Sequence, residues 1–299
     1  MWFVMERLQS EYAQSERLMD AINLAASPAH RQWSARGTWA LPDLIAQGAD
    51  PNRAHGHMLP LHAAVLTGYC PSVRQLLEAG ADANAPDGYG RYPLHYAAEK
   101  EPRVIACLLE AGAEVDARDA QSNTPLHWAA YKGLDGCIRL LLDAGADADA
   151  VNEAGDSALS WAAQRGHLEA IRRLLDYNAR PDSFNRAGSS PLSRISEALL
   201  LGIGSAEEEL CVQLLLRALG QYRLKRENEE EEDLGAFQGG LAQEADVRNL
   251  LSAYTLAPRT LQEQSRWRIR RSLGVGLLAP KVSSLPLPSQ LQHYILLQS

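Results

Sequence analysis

The sequence predicts an all-α protein: a solenoid of short repeated helical pairs followed by a separate C-terminal helical segment. Three observations carry that prediction. Pro-Leu, or a variant of it, recurs at Pro60, Pro93 and Pro125, continues as Ala-Leu-Ser from Ala158, and returns as Pro-Leu-Ser from Pro191. Gly-Ala recurs in the same rhythm at Gly48, Gly80, Gly112 and Gly145, with Asn178-Ala179 in the fifth place. Steps of 33, 32, 33 and 33 residues between the first landmarks mark a stacked repeat, in which each unit buries its apolar side against its neighbours. After Gly220 both landmarks stop and the charge changes, so a different element begins there.

One unit justifies the helices. Thr124 stands as a helix cap and Pro125 at the first helical position. Ala129 and Ala130 let neighbouring helices approach, and Gly133 breaks the first helix. In the second helix Ile138, Leu141 and Leu142 share one face, and Gly145 stops it. The polar stretch from Ala146 to Ser157 then turns into the next unit. Thr-Pro-Leu-His-x-Ala-Ala, Leu-Leu-Leu-x-x-Gly-Ala-Asp and the period resemble ankyrin repeats over about residues 37–219. The first unit (Trp39 to Asn52) keeps only its second helix. The fifth reaches its second helix, from Cys211, through a longer acidic turn at 207–209. Residues 4–24, with Leu8, Tyr12, Leu18 and Ile22, are expected to form a helix packed on the first repeat.

Composition narrows the function. The 299 residues are 46% hydrophobic and 22% charged, ordinary for a globular chain. The 37 acidic residues exceed the 29 lysines and arginines, and a net charge of -8 disfavours a nucleic-acid or anionic-membrane surface. No apolar run approaches the roughly 18 residues of a membrane span, and the N-terminus lacks the apolar core of a secretory signal. Four widely spaced cysteines without a CxxC pair fit a reducing compartment. A cytoplasmic protein without cofactor, nucleic-acid partner or membrane partner is expected.

No GxSxG, HExxH or GxxxxGK[ST] occurs, so the sequence points away from an enzyme. His62, His95 and His127 stand one repeat apart, too far to share one ion at bonds of about 2 Å. They resemble the structural histidine of ankyrin repeats, which bonds backbone between neighbouring turns. Tyr96, Trp128 and Trp161, which follow them, read as packing between helices. The resemblance also implies a target-binding surface of loop tips and first helices. The candidate residues are Tyr89, Arg91, Gln121, Asn123, Glu153, Asp156 and Arg186 on the loops, and Leu66, Glu99, Lys100, Tyr131, Lys132, Gln164 and Arg165 on the helices. Tyrosine and arginine are enriched in protein interfaces.

Beyond Gly220, residues 227–233 hold six acids in seven positions, a solvated run. An apolar pattern returns over 241–257. From Pro258 to Ser299 six basic residues face one acid. Thr260 caps a helix on which Leu261, Ser265, Ile269 and Leu273 recur every four residues, as anchors for a partner's groove require. Leu285-Pro286-Leu287-Pro288 then fixes an extended segment. Together these resemble the SOCS box. Thr260 to Ile269 is similar to its elongin-binding helix, with Ser265 where cysteine is usual, and Leu285 to Pro288 is similar to its cullin-5 motif. The whole chain is thus identified as a member of the ankyrin repeat and SOCS box family. Four segments follow: an N-terminal helical cap (1–36), ankyrin repeats (37–219), an acidic linker and helix (220–257) and the SOCS box (258–299). What the resemblance implies is a non-catalytic substrate receptor that joins a protein target to elongin B/C and to cullin-5 with a RING subunit. The alternative is a protein-binding scaffold without a ligase role.

Overall fold

A computed structural model describes residues 2–26, 41–200 and 206–219. Among them are twelve helices and no strand; extended pairing is limited to single bridges, His55 with Met58 and Val151 with Ser157. The chain divides into two compact units, with the boundary between Pro125 and Leu126.

In the first unit α1 (Trp2–Ala26) packs on α2 (Leu41–Ala46) and α3 (Pro60–Thr67). Helices α4 (Cys70–Glu78), α5 (Pro93–Ala98) and α6 (Pro102–Glu110) complete two full repeats. Leu18 and Ile22 of α1 are fully buried, as the sequence pattern requires. Tyr12 is not: it is 57% exposed, with its ring 4.8 Å from that of His55. The α1 side chains from Trp2 to Gln9, Leu8 included, lie outside the described residues. The core of this unit consists of Leu61, Val65, Leu76, Leu94, Ile105 and Leu108. Each such side chain contributes about 1.5–3 kcal/mol by leaving water. Ala64, Ala97 and Ala98 are also fully buried, their small size allowing the helices to close on one another.

The second unit repeats the scheme. The first helices of its repeats are α7 (Pro125–Lys132), α9 (Ala158–Gln164) and α11 (Pro191–Leu200). The second helices are α8 (Asp135–Asp143), α10 (Leu168–Asp176) and α12 (Ala206–Leu219). Leu126, Ile138, Leu141, Leu159, Ile171 and Leu174 form its core. The acidic residues 207–209 are a correction to the sequence reading. Helix α12 starts at Ala206, so these residues belong to a helix and not to a turn before it.

The landmarks have local causes. Proline opens α3, α5, α7 and α11, where its missing N–H costs nothing and its fixed φ suits the first helical turn. Helix α9 starts with Ala158 instead, and there Ser157 accepts the Ser160 N–H at 3.3 Å as an N-cap. Gly80, Gly112 and Gly145 have φ of 88°, 82° and 94°, and Asn178 in the fifth place has 67°. All four are left-handed, the conformation that ends α4, α6, α8 and α10. Asparagine tolerates it better than other residues with a Cβ, which explains the substitution.

Candidate functional site

The polar framework of the turns comes first, because it decides which candidate residues remain available. The turns before α5, α7, α9 and α11 are each closed by one Asx side chain. Asp87 Oδ1 accepts the N–H groups of Tyr89 (2.8 Å) and Arg91 (2.9 Å). Asp119 Oδ1 does the same for Gln121 (3.0 Å) and Asn123 (2.8 Å). Asn152 serves Ala154 and Asp156, both at 2.9 Å, and Asn185 serves Ala187 (3.0 Å) and Ser189 (2.8 Å). These four residues were missed by sequence reasoning. Their signal was an Asp or Asn at the repeat's own spacing, a residue type that bonds backbone two positions onward.

The histidines tie the turns to the helices. His62 Nε2 lies 3.0 Å from the Arg91 carbonyl, His95 Nε2 2.9 Å from that of Asn123, and His127 Nε2 2.9 Å from that of Asp156. His95 Nδ1 accepts the N–H of Tyr92 at 3.1 Å. A backbone N–H can only donate, so the proton of His95 sits on Nε2 and is donated to Asn123. Burial holds His62 and His95 below the ordinary histidine range, although the bonded carbonyls pull the other way. Their role is structural, as the ankyrin resemblance implies. In the two repeats that follow, Ser160 and Ser193 take the place of histidine.

A second ladder of side chains joins successive turns within the first unit. Asn52 Nδ2 donates to the Gly80 carbonyl and its Oδ1 accepts the N–H of Asp82, both at 2.8 Å. Asn84 repeats the bond pair with Gly112 (3.0 Å) and Glu114 (2.7 Å). In the second unit Asp149 accepts the N–H of Arg180 at 2.7 Å. Burial raises the Asp149 carboxyl above its usual range, against the pull of Arg180.

The candidate surface then separates into three groups. Asn123 and Asp156 are corrections, since the structure takes them out of the exposed set at 4% and 5% exposure. Asn123 donates to Asp119 at 3.0 Å. Asp156 receives Arg194 at 2.7 Å on each oxygen and Asn185 at 2.9 Å, so it staples α11 and the turn before it to the turn before α9. Arg91 is half-buried in an internal network: it pairs with Glu99 and lies 4.3 Å over the ring of Tyr96. The Tyr96 hydroxyl donates to Asp87 at 2.6 Å. Burial and that bond push the tyrosine up to about 12. At Asp87 burial raises the carboxyl, but the bonds from Tyr96, Arg91 and Tyr89 outweigh it and hold the group low.

The third group faces solvent. Tyr89 is 61% exposed, with its ring 5.2 Å from His57. Gln121, Glu153 and Arg186 are exposed on their turns. On the first helices of the second unit Lys132 and Arg165 are exposed and Tyr131 is half-buried. Tyr131 joins Trp128 and Trp161, whose indoles stand edge to face at 5.4 Å and 87°. Trp161 lies 5.6 Å from Tyr131, and the Arg165 guanidinium lies 4.9 Å over the Tyr131 ring. The tryptophans expected to be packing are therefore both packing and surface. Leu261, Ser265, Ile269, Leu273 and Leu285 to Pro288 lie outside the described residues.

Among the described residues no group of three or more His, Cys, Asp or Glu side chains could hold a metal ion. No helix among them is long and apolar enough to cross a membrane.

Paired short helices, left-handed stops and Asx-closed turns, three of them tied by a histidine, define a repeat protein of the interaction class. The chain matches the family model for ankyrin repeats (3 copies) over 34–119, 61–152, 100–185 and 126–226. It also matches the SOCS box model over 257–296, and it belongs to the ankyrin repeat and SOCS box family. Among curated relatives, ankyrin repeat and SOCS box protein 8 of Bos taurus is 41% identical over 105 residues, which is 35% of this chain and 34% of that protein. The Homo sapiens protein of the same name is 40% identical over the same shares. The ARF GTPase-activating protein Git of Drosophila melanogaster is 44% identical over 64 residues, 21% of this chain and 9% of that protein. The match thus spans about a third of the length of the first two relatives.

Proposed function

We propose that this chain is the substrate-recognition subunit of a ubiquitin ligase, with elongin B/C and cullin-5 as partners of its SOCS box. The observation that carries the reading is a SOCS box match at 257–296 behind ankyrin repeats at 34–226. The chain itself does no chemistry in this scheme. It raises the effective concentration of a target's lysines near a charged ubiquitin-conjugating enzyme brought by the RING subunit of the cullin. Leu261 and Ile269 anchor elongin C with Ser265 between them, and Leu285 to Pro288 select the cullin.

The test is co-purification of the full chain with elongin B/C, followed by addition of cullin-5. The Leu261→Asp variant abolishes elongin capture, because its carboxylate enters an apolar pocket without a partner. Normal capture by that variant sinks the assignment. If the intact chain binds neither partner, the serine at 265 disables the box, and a protein-binding scaffold without a ligase role becomes the better reading.

A further inference from the structure

We propose that the first-helix surface of α7 and α9 is the target-docking site and that it takes an acidic peptide segment carrying a large apolar side chain. The inference rests on the receptor reading above for its biological setting and on the second unit alone for its chemistry. Trp128, Tyr131 and Trp161 are each half-buried, so three large rings reach the surface at one place. Their edge-to-face contacts, at 5.4, 5.6 and 6.3 Å, fix one ring against another without covering the cluster. A rigid aromatic patch of this kind offers contact area at small entropic cost, as interface hot spots do.

Charge selects the occupant. From Thr124 to Leu134 and from Ser157 to Leu168, spanning α7 and α9, there is no aspartate or glutamate. The exposed charged side chains there are Lys132 and Arg165, in a chain whose net charge is -8. Both cations lie against Tyr131: Arg165 at 4.9 Å from its ring centroid and Lys132 at 5.8 Å. A cationic ligand would therefore meet like charge and a ring face already used. A carboxylate would meet a guanidinium whose flat face is stacked and whose N–H edge can still donate in pairs. Arg165 makes no ion pair with any described residue. Arg194 of α11 does not add to the attraction, because Asp156 neutralises it through two contacts of 2.7 Å. Among neighbouring acids, Glu153 is exposed on the turn before α9 and Asp135 pairs with Arg173 at 2.7 Å.

A displayed library of random peptides is selected on the immobilised full chain, and in parallel on the Lys132→Glu/Arg165→Glu variant. Both substitutions fall on exposed side chains, and an unchanged thermal melt shows that the variant folds. The wild type is expected to select peptides rich in Asp and Glu around an aromatic or leucine. The consensus peptide, made synthetically, should bind the variant at least about tenfold more weakly. Its binding to wild type should weaken as salt shortens the screening length to about 3 Å at 1 M. A Trp128→Ala chain should lose the same peptide with its salt dependence unchanged. Neutral or basic consensus peptides, equal binding to the charge-reversed variant, or no selectable peptide would each overturn the proposal. Elongin capture by the charge-reversed variant is read alongside. Acidic selection without elongin capture means the docking site stands and the ligase reading fails; elongin capture without acidic selection means the reverse.

Discussion

Replacing His95 with alanine tests the histidine–turn link most directly. The imidazole is fully buried and makes two bonds, Nε2–H to the Asn123 carbonyl at 2.9 Å and Nδ1 from the Tyr92 N–H at 3.1 Å. Each buried partner left without its bond costs about 1 kcal/mol or somewhat more. The lost ring adds a cavity near the Tyr92 ring, whose centroid is 5.7 Å away, with a cost of about another 1 kcal/mol. The sum is about 3 kcal/mol, a large share of the stability of an ordinary domain. Urea unfolding followed by helical circular dichroism measures it. The same experiment across pH carries a second signature. Burial lowers the folded-state pKa of His95 and of His62 below the ordinary histidine value of 6.5. Below that value the unfolded chain binds protons that the folded chain refuses. Stability is therefore full above pH 6.5 and falls as the pH drops toward the lowered folded value. The slope reaches at most about 1.4 kcal/mol per pH unit for each histidine. His95→Ala removes one of the two contributions, so its stability falls less steeply with acid. A loss under about 1 kcal/mol at pH 7, or an acid slope identical to wild type, would refute the reasoning.

Three further outcomes follow from the same contacts. Asp156→Ala should cost about 3 kcal/mol by calorimetry, since it leaves the half-buried Arg194 unpaired and undoes the bond from Asn185, whereas Asp156→Asn should cost less. Gly133→Ala should destabilise more than Gly145→Ala. Both have positive φ, but a Cβ at 133 would meet the His167 ring at 2.6 Å and one at 145 meets nothing within 4 Å. Equal melting temperatures for the two variants would count against the packing of His167 on Gly133. Leu261→Asp should eliminate elongin capture in the same co-purification assay.

The sequence by itself determined the repeat, and the reason is physical. A unit that cannot bury its apolar side alone must present the same face at the same interval, so Pro, Gly-Ala and the leucines of α8 recur in register. Helix stops were equally legible, even the asparagine at 178, because left-handed backbone restricts residue type at a single position. The SOCS box resemblance was legible in short motifs and agrees with the match at 257–296. Tertiary structure alone decided what each polar side chain does. Asp156 and Glu153 stand three positions apart on one turn, yet one is buried against Arg194 and the other is exposed. Arg91 and Arg165 each lie over a tyrosine, but Arg91 also meets Glu99 and is drawn into the fold, while Arg165 forms no ion pair among the described residues and is exposed. Such fates depend on which partner the fold brings alongside, 38 residues on for Asp156 and eight for Arg91. A local pattern does not encode which of two chemically similar residues finds a countercharge there.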